Sequence, residues 1–205
     1  MNQTIARLAL CAMWIVEGLS FSSHAEMKAT PHITLNVTSD ITVGTCTATL
    51  RDSGNSIISE VAFGDVYTSE LGNKVKTFKL QFTDCVGVPG RKANITLLPK
   101  GIGCAGTTGN SPDFANGFIP SLEQDIAAAN VAVEVWTTNT PQSGGSVQFN
   151  CANRNTQQVN ISTASGTATV DYPLSARLVV TPGKQRTQVV AGQFKSPATF
   201  NITYE

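Results

Sequence analysis

The sequence has little charge, and neither sign is in surplus. Lys and Arg together number 14, Asp and Glu also number 14, and charged residues form only 14% of the chain, where about a quarter is usual. Nucleic acids and anionic membranes bind proteins through basic surfaces, so this balance gives no reason to expect a nucleic-acid partner. Thr, Ser, Asn, Gly and Val are abundant instead, which is typical of β-structure with many turns.

Histidine is nearly absent, and the cysteines are not spaced as metal ligands. Besides His24, the chain has only His32, and no C-x-x-C pair occurs. A Gly-rich phosphate loop and a nucleophile elbow are also missing. Carboxylates such as Glu134 and Asp171 are scattered along the chain, and most are expected to be solvated. We therefore predict no catalytic residue, no metal site and no cofactor, and do not expect an enzyme.

Apolar runs long enough to cross a bilayer are missing as well. The run Leu8–Val16 has nine residues, follows Arg7 and is interrupted by Glu17, whereas a membrane helix needs about 20. Ser23-His24-Ala25 then places small residues at the two positions that a signal peptidase reads. Residues 1–25 are predicted to be a signal peptide that is cleaved after Ala25.

Cysteine usage agrees with export from the cell. Cys11 lies in the predicted signal peptide, which leaves an even number of widely spaced cysteines, the pattern of two disulfides in an oxidising compartment. These are Cys46, Cys85, Cys104 and Cys151. Four cysteines allow three pairings. We favour Cys46–Cys85 and Cys104–Cys151, because the first pair spans predicted neighbouring strands and the second spans one local excursion.

Apolar side chains alternate with a period of two along most of the chain, which predicts short strands and no helix of useful length. Strands are predicted near residues 32–41, 41–50, 57–63, 78–85, 95–97, 131–136, 159–161, 174–180 and 193–205. The last of these places Phe194, Ala198, Phe200, Ile202 and Tyr204 on one face. Residues 101–127 are rich in Gly, Ser, Asn and Pro and are predicted to form a long surface excursion. This pattern indicates one immunoglobulin-like β-sandwich domain.

The segment after the predicted cleavage site alternates cleanly, yet no turn separates it from the Cys46 strand. A strand that cannot fold back as a hairpin pairs either at a distance or with another chain. The alternative is a first sandwich strand with a bend at Ser39-Asp40. Its alternating residues are Ile33, Leu35, Val37, Ser39 and Ile41.

Several features together resemble the chaperone–usher pilin family, across essentially the whole exported chain. The chain ends with alternating apolar residues and a penultimate tyrosine, and Gly192 is fourteenth from the carboxyl end. Cys46 and Cys85 sit where the family has its disulfide. The matching stretches are Phe200-Asn-Ile202-Thr-Tyr204-Glu205, Val61-Ala-Phe63-Gly64-Asp65-Val66, Asn130-Val131-Ala-Val133 and Tyr172-Pro-Leu174-Ser-Ala176. The chain departs from the family at Ser39, where a glycine is usual, and in having Cys104 and Cys151.

The resemblance implies an all-β fold: an incomplete immunoglobulin-like sandwich over residues 44–205, preceded by an N-terminal donor-strand extension over residues 26–43. The partners implied are other pilin subunits, a periplasmic chaperone and an outer-membrane usher. Export would pass through the periplasm to a fimbrium at the cell surface, where the fibre supports cell adhesion. The donor residues would be Ile33, Leu35, Val37, Ser39 and Ile41, and the groove or chaperone and usher contacts would be Gly192, Phe194, Phe200, Ile202, Tyr204 and Glu205.

The alternative function is a one-domain fimbrial adhesin that binds a host glycan or protein receptor. The 101–127 excursion together with Trp136 would form the receptor-binding surface in that case.

Overall fold

In a computed structural model, the described residues are 44–100, 104, 127–151 and 154–205. They all lie in one compact unit, which spans Ile41–Glu205. The predicted signal peptide, the donor residues Ile33, Leu35, Val37, Ser39 and Ile41, and most of the 101–127 excursion lie outside the described residues.

Seven β-strands form the described part of the chain, and no α-helix occurs there. They are β1 (Thr45–Asp52), β2 (Val75–Val86), β3 (Lys92–Pro99), β4 (Val131–Trp136), β5 (Gln157–Asn160), β6 (Val170–Val180) and β7 (Ala198–Tyr204). Two 3-10 turns, Thr68–Glu70 and Arg186–Gln188, complete the set. The predicted all-β class is confirmed. No helix in these ranges is long and apolar enough to cross a membrane.

The strands form two antiparallel sheets, one with the order β1-β2-β6-β4 and one with the order β5-β3-β7. Alternation sends every second side chain to the space between the sheets. The largest core cluster accordingly combines residues from both of them. Its members include Phe78, Leu80 and Phe82 from β2, Ile95 and Leu97 from β3, and Leu174 and Ala176 from β6. Burying each large apolar side chain contributes roughly 1.5–3 kcal/mol to the free energy of unfolding.

Two disulfides link the strands in the pairing favoured from the sequence. Cys46 at the start of β1 bonds Cys85 near the end of β2, with a Cα–Cα distance of 4.1 Å. Cys104 bonds Cys151, with a Cα–Cα distance of 5.7 Å. Cys151 is only 1% exposed and belongs to the core cluster. The second disulfide therefore ties Cys104 to the core.

We expect the double variant C104S/C151S to unfold more easily than the unmodified chain. A crosslink between residues 47 positions apart restricts the unfolded chain, and its loss typically costs roughly 2–4 kcal/mol. Urea denaturation of the oxidised protein measures this loss. The matched control is the unmodified chain after full reduction, which should unfold at a lower urea concentration than the double variant because it lacks both crosslinks. An unchanged midpoint in the double variant would show that this disulfide does not constrain the fold.

Two predicted strands differ from the structure. Over residues 57–63, only Ile57 makes an isolated bridge, to Arg51 of β1. The rest is irregular, although Val61 and Phe63 still pack on the core. Alternation specifies which side chains face inward, but it does not supply a pairing strand.

The last strand begins at Ala198 and not at Gln193. Gln193 instead bridges to Ala127. Pro197 has no N–H to donate to a sheet. As a result, Phe194 packs against a different apolar cluster from Phe200, and Ala198 is exposed.

The carboxylate of Glu134 is buried, so the expectation of solvated carboxylates is wrong for this residue. Glu134 lies opposite Arg177 across the β4–β6 pair, and its Oε2 accepts a hydrogen bond from Arg177 Nε at 2.6 Å. The same oxygen accepts from Trp136 Nε1 at 3.0 Å. Arg177 also donates to the Gly72 carbonyl at 3.1 Å. Two facing strands thus place a buried ion pair on one face of the sheet.

Candidate functional site

Strand β7 has a strand partner on one side only, among the described residues. It pairs with β3, from Ala198 opposite Pro99 to Tyr204 opposite Ala93. Just beyond that pairing, the Glu205 N–H donates to the Lys92 carbonyl at 3.0 Å, and the Lys92 N–H donates to the Glu205 carbonyl at 3.3 Å.

Backbone N–H and C=O groups alternate in direction along a strand. Because those of Glu205 point to β3, the groups of every second residue point to the opposite, open edge. These residues are Ala198, Phe200, Ile202 and Tyr204. Such a row of backbone donors and acceptors is a template for another strand.

The side chains of β7 separate into a half-buried face and an exposed face. Phe200, Ile202 and Tyr204 are half-buried and pack on the core, while the residues between them are exposed. The Phe200 and Phe149 rings pack edge to face, with ring centroids 6.0 Å apart and planes at 81°. The Tyr204 hydroxyl donates to the Cys46 carbonyl at 3.2 Å. Burial raises the pKa of Tyr204, which keeps this hydroxyl protonated and able to donate.

An apolar groove of about 1600 Å³ lies beside the open edge. Its floor comes from inward-facing residues of both sheets: Phe78, Leu97, Val131, Val133, Val135, Ala176 and Leu178. One wall is formed by residues within 59–71, and the other by residues 189–200. Among the described residues, neither wall is a strand until β7 begins, so irregular segments border the core here.

A buried apolar cluster lines part of the groove. Leu71, Ala128, Val131 and Leu178 form this cluster, and Phe194 packs against it. The Gly72 N–H donates to the Leu178 carbonyl at 2.7 Å, which holds the turn that carries Leu71. Gly72 has a φ of +88°, a conformation that favours glycine.

Gly192 lies in an exposed bend on the groove wall. The segment around it is fastened to residues 127–129, because the Ala128 N–H donates to the Gln193 carbonyl at 2.8 Å and Val190 bridges to Ala129. This attachment fixes the wall that leads into β7.

The predicted contact residues occupy different parts of this site. Gly192, Phe194 and Phe200 line the groove. Ile202 and Tyr204 continue the strand along the core. Glu205 is exposed and accepts a hydrogen bond from Asn94 Nδ2 at 2.6 Å.

Sequence reasoning missed the floor of the groove and the charges on its rim. The floor residues were recognised as inward-facing strand positions, but nothing local shows that no strand covers them. The two walls carry opposite charges. Glu60 and Asp65 lie on the 59–71 wall, and Lys100 and Lys195 line the other side.

Trp136 does not form a receptor-binding surface, contrary to the adhesin alternative. It is 8% exposed, and the Arg177 guanidinium lies 5.6 Å from its ring centroid. The indole thus covers the Glu134–Arg177 pair. In the described ranges, no group of three or more His, Cys, Asp or Glu side chains could hold a metal ion.

Comparisons with known sequences point to one family. The family model described as "Fimbrial protein" matches residues 32–205. An uncharacterised fimbrial-like protein of Escherichia coli (strain K12), YadL, is 48% identical over 192 residues, covering 93% of this chain and 92% of its own. A solved structure, the P pilus rod subunit PapA, gives a TM-score of 0.44 at 17% identity and covers 78% of this chain and 99% of its own.

Proposed function

The chain belongs to the fimbrial protein family and is a structural subunit of a surface fimbrium, and we propose that it polymerises by donor-strand complementation. In this mechanism, the extension of residues 26–43 of one copy lies in the groove of the 44–205 domain of the next copy. The open edge of β7 beside the apolar groove is the observation that carries the proposal.

The donor segment has the chemistry that this groove requires. An added strand would bond the outward-pointing backbone groups of β7 and place every second side chain on the groove floor. In the segment, those side chains are Ile33, Leu35, Val37, Ser39 and Ile41. The nine residues 33–41, at about 3.3 Å each, span about 30 Å. This is longer than β7, which has seven residues. The remainder would follow the wall of residues 189–197.

The same open edge supports a role for a chaperone before assembly. An unpaired edge beside exposed apolar surface leads to aggregation unless it is covered. After export by the signal peptide of residues 1–25, a periplasmic chaperone would supply a temporary strand along β7. At an outer-membrane usher, the donor segment of another copy would replace that strand.

Substituting a donor residue tests the proposal without altering the sandwich. V37D places a carboxylate on the apolar floor, so we expect polymer formation to fall by a factor of 100 or more, on the order of 3 kcal/mol or above for an unpaired buried charge. T38D changes the neighbouring, outward-facing position and is the matched control, with an expected change below about tenfold. Polymer length is measured by electron microscopy and by the ladder on unheated denaturing gels.

If V37D polymerises as well as T38D does, assembly through this segment is refuted. Loss of polymer in both variants would count against the proposed alternation of groove-facing and outward-facing side chains in the donor segment, because only one of its two faces should contact the groove.

A further inference from the structure

We propose that Lys195 forms an ion pair with Asp40 of the copy that donates its strand. Together with Glu205 at the other end of the open β7 edge, this pair sets the register and direction of the donor strand. The inference rests on the proposed function and deepens it. It concerns charged side chains beside the edge, while the apolar anchors face the groove floor.

The charges beside the open edge differ at its two ends. Glu205 follows the end of β7, with Lys92 and Asn94 of β3 as its neighbours. Lys195 is exposed and precedes the strand by three residues, on the wall of residues 189–200. The edge thus has a carboxylate at one end and an ammonium at the other. The donor segment 32–41 has Asp40 near its carboxyl end and His32 at its start.

Backbone hydrogen bonding restricts the register of an antiparallel donor. Ile33 opposite Tyr204 and Val37 opposite Phe200 would be hydrogen-bonded pairs, because the Tyr204 and Phe200 backbone groups point to the open edge. A shift of two residues in one direction would place Pro31 opposite Tyr204, where it has no N–H to donate. The opposite shift would take the donor anchor Ile33 beyond β7.

The unshifted antiparallel register brings unlike charges together. It places Asp40 beside Pro197, one residue before β7 begins, and the exposed Lys195 lies two residues further along the same wall. Two residues of extended chain span about 7 Å, a separation that the long lysine side chain can bridge. His32 then lies opposite Glu205. Pro197 tolerates this position, because its carbonyl already accepts from the Lys100 N–H at 3.0 Å on the β3 side.

A parallel donor would bring like charges together. With Ile33 opposite Ala198 and both apolar faces still aligned, Asp40 would lie opposite Glu205. Like charges directly opposite each other in a sheet are destabilising. The opposite wall of the groove carries Glu60 and Asp65, so a tilt of Asp40 toward that side is also disfavoured. Lys195 therefore favours the antiparallel donor strand in the register that brings Asp40 close to it.

Charge reversal in the full-length chain tests the proposed Lys195–Asp40 pair. K195E and D40K each create a like-charge pair, and we expect each to slow polymerisation roughly 3- to 10-fold at low salt, with the effect largely lost at 1 M salt. The double variant D40K/K195E restores an unlike pair and should regain most of the rate. K184E makes the same charge change on a turn outside the groove and is the matched control.

A mixture of the two single variants gives the sharpest readout. The donor segment of D40K carries a lysine that suits the glutamate on the edge of K195E. The unchanged Asp40 in the donor segment of K195E likewise suits the unchanged Lys195 on the edge of D40K. An equal mixture should therefore polymerise faster than either variant alone and alternate along the fibre, which labelled copies would reveal.

Two results would overturn the proposed Lys195–Asp40 pair but leave the proposed function standing. One is that K195E behaves as K184E does, and the other is that the mixture gains nothing over the single variants. If V37D polymerises like the unmodified chain, the proposed function fails, and this inference fails with it.

Discussion

A domain that starts at Gly44 should not melt cooperatively, whereas the same domain with residues 33–43 appended after Glu205 through a flexible linker should melt cooperatively at a much higher temperature. The reason is the groove floor, which the shorter protein leaves open to water. Burying Ile33, Leu35, Val37 and Ile41 contributes roughly 6–12 kcal/mol before costs, comparable with the entire stability of a small domain. Thermal melting followed by circular dichroism compares the two proteins.

The control appends the same segment with Val37 changed to Asp, which keeps its length and linker. It should melt at a much lower temperature than the unmodified appended protein, because a carboxylate on the apolar floor removes a large part of the gain. A shorter protein that already melts cooperatively at the higher temperature would show that the sandwich is complete without a donor. That result would remove the basis of the proposed function.

Replacing Arg177 by Met should destabilise the folded chain by roughly 3–5 kcal/mol, because Glu134 would keep a buried charge without its cation. The two side chains are 12% and 9% exposed, and their closest atoms are 2.6 Å apart. The variant also loses the hydrogen bond to Gly72 and the contact with the Trp136 ring. Urea denaturation of the donor-appended protein measures the difference, since that form is expected to unfold cooperatively.

The exposed pair Lys79–Asp171 provides the control for this variant. Its closest atoms are also 2.6 Å apart, but the side chains are 25% and 43% exposed, and such pairs contribute about 1 kcal/mol or less. K79M should therefore change the midpoint little. The double variant R177M/E134Q should recover part of the loss, because it removes the buried carboxylate charge. Similar losses in R177M and K79M would mean that burial does not govern the strength of the Glu134 pair.

Features that depend on local alternation could be predicted from the sequence. The inward faces of β2 and β6 and the half-buried face of Phe200, Ile202 and Tyr204 follow from a period of two, which is visible within a few residues. The disulfide pairing was favoured from the order of the strands.

Features that depend on which strands are neighbours could not be predicted. Glu134 and Arg177 are 43 residues apart, and only the β4–β6 register shows that they face each other. The groove has the same origin, because Val133 and Ala176 look like ordinary core residues until the sheet edges are known. The strand expected at 57–63 was wrong for a different reason: Ile57 is exposed and bridges only to Arg51 of β1, and the chain is irregular from Ile58 onward.

The disulfide between Cys46 and Cys85 has a mechanical consequence for a fibre. In the proposed polymer, tension enters each domain through the residues just before Gly44 and leaves through the edge of β7. The crosslink lies at the second residue of β1, and only the Thr45–Val86 pairing precedes it. A pull on β1 therefore passes into β2 through a covalent bond before the pairings from Thr47 to Asp52 must break. The Tyr204–Cys46 hydrogen bond joins the same point to β7. A pull on the start of β1 is therefore shared with β2 and β7, and the part of β1 beyond Cys46 cannot be peeled from β2 residue by residue while the disulfide is intact.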